Sequence, residues 1–180
     1  MSIGIRTESD ADAGQVADVI TQAFADDGRV ARLAAALCAR PDTQAGLVAV
    51  EGERIVGHTH LSISWVDAPE ALVEVLTLSP LAVSPDRQSC GIGTRLFDRA
   101  RGAAEGLGAP LLFLEGDPGF YAARGWSAAA DLGFTAPSSR IPSAAFRVMP
   151  LATYDAGSMR GALVYNDTFW AHDCVGLREA

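Results

Sequence analysis

The stretch "SPDRQSCGIGTRLFDRA", Ser84 to Ala100, decides how this chain is read. A run of Val, Leu and Ala ends at Pro85, two glycines follow at Gly91 and Gly93, and a helical pattern begins at Thr94. Glycine inside a helix costs roughly 1 kcal/mol, so a pair at a helix start needs a reason. A strand that turns through glycine into a helix presents free N–H groups and the positive end of the helix dipole at one place, which is an anion site. Arg87, Arg95, Arg99 and Arg101 outnumber Asp86 and Asp98 around it, in a chain whose net charge is −8. The expected ligand is therefore a phosphate.

Composition narrows the ligand. All 14 basic residues are Arg, so a Walker-type loop and Schiff-base chemistry both lack their lysine. The dinucleotide fingerprint is also incomplete, because its third glycine position holds Leu96. The acidic balance disfavours nucleic acid and anionic membrane as partners. No apolar run reaches the ~18 residues of a membrane span. The three cysteines, Cys38, Cys90 and Cys174, have no metal-ligand spacing and suit a reducing, cytoplasmic setting.

Outward from the turn, hydrophobic periodicity predicts strands over "IGIRTES", "GLVAVEGERIVGHTHLSIS" (two strands joined at Gly52–Glu53) and "EALVEVLTLSPLAVSP". Helices are predicted from Asp10 to about Asp27, with Val16, Val19, Ile20 and Phe24 inward, and from Val30 to Ala39. A third runs from Thr94 to Leu107, with Leu96, Phe97, Ala100, Ala104 and Leu107 as its buried stripe. "APLLFLEG" reads as a buried central strand, and "DPGFYAARGW" as a short helix with Asp117 as N-cap and Pro118 at its first position. "AAFRVMPL" and "RGALVYND" are further strands. With no linker or repeat, the expectation is one mixed α/β domain over residues 1–180, its core about 3–151, followed by a C-terminal extension.

Gln88, Gly91 and Gly93 form Q-x-x-G-x-G behind "LAVSPD", and "GFYAARGW" follows some thirty residues later. This combination resembles the GNAT superfamily of N-acetyltransferases, and the pairing of "LSPLAVSPD" with "GDPGFYAARGW" is most similar to a bacterial subgroup of predicted acetyltransferases. The resemblance implies a mostly antiparallel central sheet flanked by helices on both faces, with acetyl-CoA as acetyl donor and no metal. Backbone groups of Leu81, Ala82 and Val83 would pair with the pantetheine arm, and those of Gln88, Ser89, Cys90, Gly91, Ile92, Gly93 and Thr94 would cradle the pyrophosphate. An N–H near Ala82 or Val83 would polarise the acetyl carbonyl, and Pro80, lacking an N–H, would mark where the strand parts from its neighbour. Ser89 and Cys90 depart from the pattern, which has Gly and then a cation there.

Tyr121, in the F-Y element, suits the acid that protonates the leaving thiolate. Glu74, on the strand leading to Leu81, is the candidate base, with Glu115 and His60 behind it. His58 and His60 share a strand face, but no further metal ligands are visible beside them in sequence. The implied reaction is direct acetyl transfer to a primary amine, on a small molecule or peptide, in a ternary complex. A catalytically silent acetyl-CoA-binding sensor or partner module is the alternative, and a homodimer is left open.

Overall fold

The computed structural model describes residues 3–176, which cluster into two compact units. One takes the chain up to Ser62 together with Leu78–Ala103, and the other takes Ile63–Thr77 together with the chain from Ala104 onward.

The first unit opens with β1 (Ile3–Thr7), α1 (Ala13–Phe24) and α2 (Arg29–Cys38). Entry to α1 is fixed by Asp12, whose carboxylate accepts from the Arg6 guanidinium at 2.6 and 2.8 Å and from the Ser9 backbone N–H at 2.8 Å. The Arg6 hydrogen bonds hold that carboxyl well below the usual carboxylate range. Between the helices, Asp26 accepts from the N–H groups of Gly28 and Val30 at 2.9 and 3.0 Å, an acidic cap at the start of α2.

β2 (Ala45–Glu51) pairs antiparallel with β1 and with β3 (Arg54–Asp67), so Gly52 and Glu53 form the tight turn expected, with Gly52 left-handed at φ 64°. The end of β4 (Leu72–Val83) and most of α3 (Ile92–Gly106) complete the unit. Its core joins Val16, Val19 and Ile20 of α1 to Ala31 and Ala34 of α2, Val48, Ile55 and Ala82. Burial of such side chains supplies about 1.5–3 kcal/mol each for the larger ones. Phe24 is not part of it; at the last position of α1 it is 45% exposed.

The second unit is built on β5 (Leu111–Glu115), parallel to β4 through Leu76↔Leu112 and Thr77↔Phe113. β8 (Phe146–Pro150) runs antiparallel to β5 along its whole length, and β6 (Ser127–Ala128) pairs with β8. Phe113 packs edge-on against Phe134 and stacks with Phe146, at 5.1 and 5.6 Å between centroids. Leu107, expected in the stripe of α3, lies just past that helix's last residue and is 52% exposed.

β9 (Gly161–Tyr165) pairs with the end of β3 from Ser64 to Asp67 and runs parallel to β7 (Phe134–Thr135). β9 thus joins the sheet. The close approach explains Gly161: a Cβ there would fall on the Asp67 carbonyl oxygen. α4 (Pro118–Ala122) and α5 (Asp167–Ala171) are both side-chain capped, by Asp117 and Asn166.

By hydrogen-bonded neighbours the strands run β1-β2-β3-β4-β5-β8-β6, with β9 on β3 and β7 on β9. Only the β4–β5 and β7–β9 pairs are parallel among those registered, so the sheet is mixed and mostly antiparallel, as expected. Among the described residues no helix is long and apolar enough to cross a membrane.

Candidate functional site

The strand-to-helix turn lies wholly within the first unit. At the end of β4, Leu81 and Val83 are half-buried on one face, and Ala82 is buried on the other. Ser84 then locks the turn: its N–H donates to the Val56 carbonyl at 2.9 Å, and its hydroxyl accepts from Arg54 at 3.0 Å. Arg54 also grips the Asp86 carboxylate at 2.8 and 2.9 Å. A single helical turn at Pro85–Arg87 carries the chain to Gln88, whose side-chain amide donates back to the Val83 carbonyl at 3.2 Å.

Ser89 and Gly91 are both left-handed, at φ 60° and 79°, so the chain reverses across Cys90 and α3 starts at Ile92. The backbone of Ser89 thus takes the left-handed conformation that favours glycine, and an L-residue pays roughly 1–2 kcal/mol to do so. Beneath the turn, Ile92 and Leu96 are buried. Their seat is Gly57 on β3, where a Cβ would stand 2.9 Å from Leu96 Cδ1 and 3.2 Å from Ile92 Cγ2. Above it, a Cβ at Gly91 would meet nothing within 4 Å. The first turn of α3 therefore starts at an open backbone surface, where helix N–H groups lack intrahelical acceptors.

Two of the four arginines named around the turn are engaged within the protein. Arg87 donates to Glu51 at 2.9 and 3.1 Å and to Asp86, while Arg95 donates to the Ile3 carbonyl at 2.7 Å. Those guanidiniums are committed to internal partners.

In the second unit, Asp117 caps α4 by accepting from the Gly119 N–H at 2.9 Å, with Pro118 at the first helical position. This short helix presents Tyr121 inward, 9% exposed. Its ring lies over Gly116, where a Cβ would collide with it, and edge-on to Phe120 and Trp126 at 4.9 and 5.8 Å. Burial pushes the phenol up to about 12, with Asp117 adding to the rise and Arg124 opposing it. Tyr121 holds its proton throughout the neutral range.

Glu74 is exposed near the start of β4. The register Leu76↔Leu112 sets Glu74 two residues before that pair, while Gly116 lies four residues after it. Six strand residues span roughly 20 Å. The two side chains named for proton transfer are thus set at opposite ends of the β4–β5 pair. Glu115 is engaged elsewhere: it accepts from the Tyr165 hydroxyl at 2.9 Å, and burial raises its pKa.

A second cluster, also inside the first unit, was only half visible in sequence. His58 and His60 share one face of β3, as their spacing requires, and the fold adds Glu8 and Cys38. His58 Nε2 lies 2.9 Å from Glu8 Oε2, Cys38 Sγ lies 3.5 Å from that oxygen, and Cys38 Sγ lies 3.4 Å from His60 Nδ1. His60 Nε2 faces the Thr43 hydroxyl at 3.2 Å. Burial lowers the His60 pKa to about 4, and burial together with the Glu8 carboxylate pushes the Cys38 thiol up to about 12. Glu8 is raised by burial but lowered more by its hydrogen bonds from His58 and Cys38, for a net fall. A cleft of about 480 Å³ between α1, α2 and β2 reaches three of the four: Glu8, Cys38 and His60. Glu8 and Cys38 stand 50 and 22 residues from their histidine partners, so no local motif could have flagged them.

A glycine turn between a strand and a helix, set in a mixed, mostly antiparallel sheet with helices, defines an α/β protein. The sequence pattern of one family, described as acetyltransferase (GNAT) domain, matches residues 4–129. The chain belongs to that family, and by that membership is an acyltransferase. No curated protein matches it. Among solved structures it is similar to a GNAT family acetyltransferase from Brucella melitensis in complex with acetyl-CoA, at 25% identity and TM-score 0.75, covering 93% of this chain and 98% of that one. It is also similar to a GNAT family N-acetyltransferase from Escherichia coli in complex with CoA, at 23% identity and TM-score 0.85, covering 93% and 91%.

Proposed function

We propose that this protein transfers an acetyl group from acetyl-CoA to a primary amine by direct attack in a ternary complex. The observation that carries the reading is the open turn from Leu81 to Thr94, seated on Gly57 and reversed at Ser89 and Gly91, within the residues that match the family. The acetyl-CoA-bound relative from Brucella melitensis supports the choice of donor. In this reading the backbone of Leu81, Ala82 and Val83 pairs with the pantetheine arm. The N–H groups from Gln88 to Thr94 hold the pyrophosphate, and an N–H near Ala82 or Val83 stabilises the oxyanion.

The amine lone pair attacks the thioester carbonyl, the C–N bond forms, and the C–S bond breaks. Tyr121 gives its proton to the departing thiolate; its high pKa keeps the phenol protonated at neutral pH, while making it a weaker acid than an ordinary tyrosine. The proton lost by the amine passes to a base. Glu74, the base read from sequence, sits far along the strand pair from Tyr121, so that role needs a water chain or a long acceptor. Glu74→Gln tests it: a large loss of turnover supports the role and an unchanged rate removes it. The acidic composition suits a cationic amine, on a small molecule or a peptide. The three described cysteines are free thiols, in keeping with a cytoplasmic setting.

The second reading, a silent acetyl-CoA-binding module, is favoured by Ser89 and Cys90 in the cradle and by the placement of Glu74. Calorimetry with acetyl-CoA and CoA release across a panel of amines separate the two. Binding with turnover supports the enzyme, binding without turnover supports the module, and no binding at millimolar acetyl-CoA refutes both.

A further inference from the structure

We propose that Glu8, Cys38, His58 and His60 form a zinc site, independent of the acetyl-transfer reading. One ligand atom from each lies within 4.8 Å of the others. Bonds of about 2.0–2.3 Å to a tetrahedral zinc ion place its ligand atoms about 3.3–3.7 Å apart. Three of the six ligand–ligand distances, 2.9, 3.5 and 3.4 Å along His58–Glu8–Cys38–His60, lie close to that spacing, and the other three, within 4.8 Å, close on binding by side-chain adjustment.

The donor set names the metal. One carboxylate oxygen, one sulfur and two imidazole nitrogens suit zinc, whereas magnesium and calcium take oxygen shells. The charges close as well: a carboxylate, a thiolate and two neutral imidazoles balance a dication. On binding, the Cys38 thiol yields its proton to solvent as the Zn–S bond forms, and the proton between His58 Nε2 and Glu8 moves to His58 Nδ1, a buried nitrogen that has no hydrogen-bond partner before binding.

Two features show a site prepared beyond its ligand atoms. His60 turns Nε2 to the Thr43 hydroxyl, which fixes the ring with Nδ1 towards Cys38, the outer hydrogen bond that metal-bound histidines commonly make. Gly46, opposite His60 on β2, leaves room for the carboxylate, because a Cβ there would fall on Glu8 Oε2. The cleft supplies the entry path.

The test uses the full chain, stripped with a chelator and titrated with zinc and with cobalt. One equivalent should bind, and the cobalt form should show a thiolate-to-metal charge-transfer band. Cys38→Ser should abolish that band and weaken zinc binding at least about 100-fold, since even outer-shell partners are worth about 10–100-fold. Cys90→Ser should keep both. Should Cys38→Ser fail to fold, the unsubstituted protein still decides: zinc should protect Cys38, and not Cys90, from alkylation read by mass spectrometry. Absence of stoichiometric binding at millimolar zinc, a charge-transfer band that survives Cys38→Ser, or alkylation of Cys38 at the same rate with and without zinc overturns the proposal.

Discussion

Gly91 offers the sharpest test of the proposed cofactor cradle, because its surroundings separate strain from obstruction. At φ 79° any L-residue is strained, but a Cβ would meet no protein atom within 4 Å. Substitution therefore costs the backbone penalty alone, roughly 1–2 kcal/mol. For a chain of this size each kcal/mol lowers Tm by about 2–4 °C, so Gly91→Glu should melt about 2–8 °C lower and remain folded. Its effect on acetyl-CoA should be far larger. A carboxylate about 5 Å from one phosphate charge, at an effective dielectric near 20, is repelled by about 3 kcal/mol. Each 1.4 kcal/mol is tenfold, so affinity should fall more than about 100-fold by calorimetry. Gly91→Asn is the control, since Asn tolerates the left-handed region and brings no charge. It should melt close to the unsubstituted protein and bind acetyl-CoA far more tightly than Gly91→Glu. If folded Gly91→Glu binds acetyl-CoA as well as the unsubstituted protein, the pyrophosphate is not held at this turn.

Tyr121→Phe removes a proton donor from a ring otherwise held by packing, so turnover should drop about 10²–10⁴-fold with acetyl-CoA affinity kept; unchanged turnover would leave Tyr121 a packing residue. Because its phenol titrates at about 12 and the acid form is the active one below that value, the rate should show no descending limb at the ordinary tyrosine pKa near 10. Ser89→Gly relieves a left-handed L-residue and should raise Tm by about 2–8 °C, the reverse of the usual direction for glycine; a fall would mean that the Ser89 side chain contributes more than its backbone costs. Gly57→Val, by contrast, drives methyl groups into Leu96 and Ile92, and should destabilise by at least about 1–3 kcal/mol in denaturant titration. Cys90, exposed between the two left-handed residues, should be protected from alkylation by acetyl-CoA while Cys174 is not; equal rates would place Cys90 outside the cofactor site.

The legible parts of the sequence were those whose signal is local. Asp117–Pro118 announced α4 because capping is decided within three residues, and "LLFLE" announced a buried strand because both its faces are apolar. Phe24 and Leu107 misled for one shared reason. Helical spacing carries a stripe to the helix end and past it, yet Phe24 closes α1 and Leu107 already lies beyond α3, where no following turn covers either side chain. β9 was visible as a strand, but its partner on β3 lies a hundred residues earlier, so its place in the sheet was not. The arginines around the turn were a matter of composition. The engagement of Arg87 by Glu51 and of Arg95 by the Ile3 carbonyl is decided by tertiary placement. Glu8 and Cys38 joined the histidines for the same reason.

The segment Gly57–His60 shows how one strand serves two purposes through its period of two. Gly57 faces α3, and its missing side chain lets Ile92 and Leu96 sit against the strand and set the height of the turn. His58 and His60 point to the other face, where Glu8 and the α2 residue Cys38 meet them. A packed sheet therefore stands between the cradle and the quartet, and no side chain of the quartet can reach the turn directly. Perturbations more than about 7–10 Å apart with no shared partner usually add within about 0.3–0.5 kcal/mol. Gly91→Glu should accordingly leave zinc affinity unchanged within about twofold, and Cys38→Ser should leave acetyl-CoA affinity unchanged to the same degree. Calorimetry of each ligand on each variant, with and without the other ligand, measures the coupling. A tenfold mutual effect would show that β3 shifts as a unit when either face is occupied, and would replace two independent sites with one linked pair.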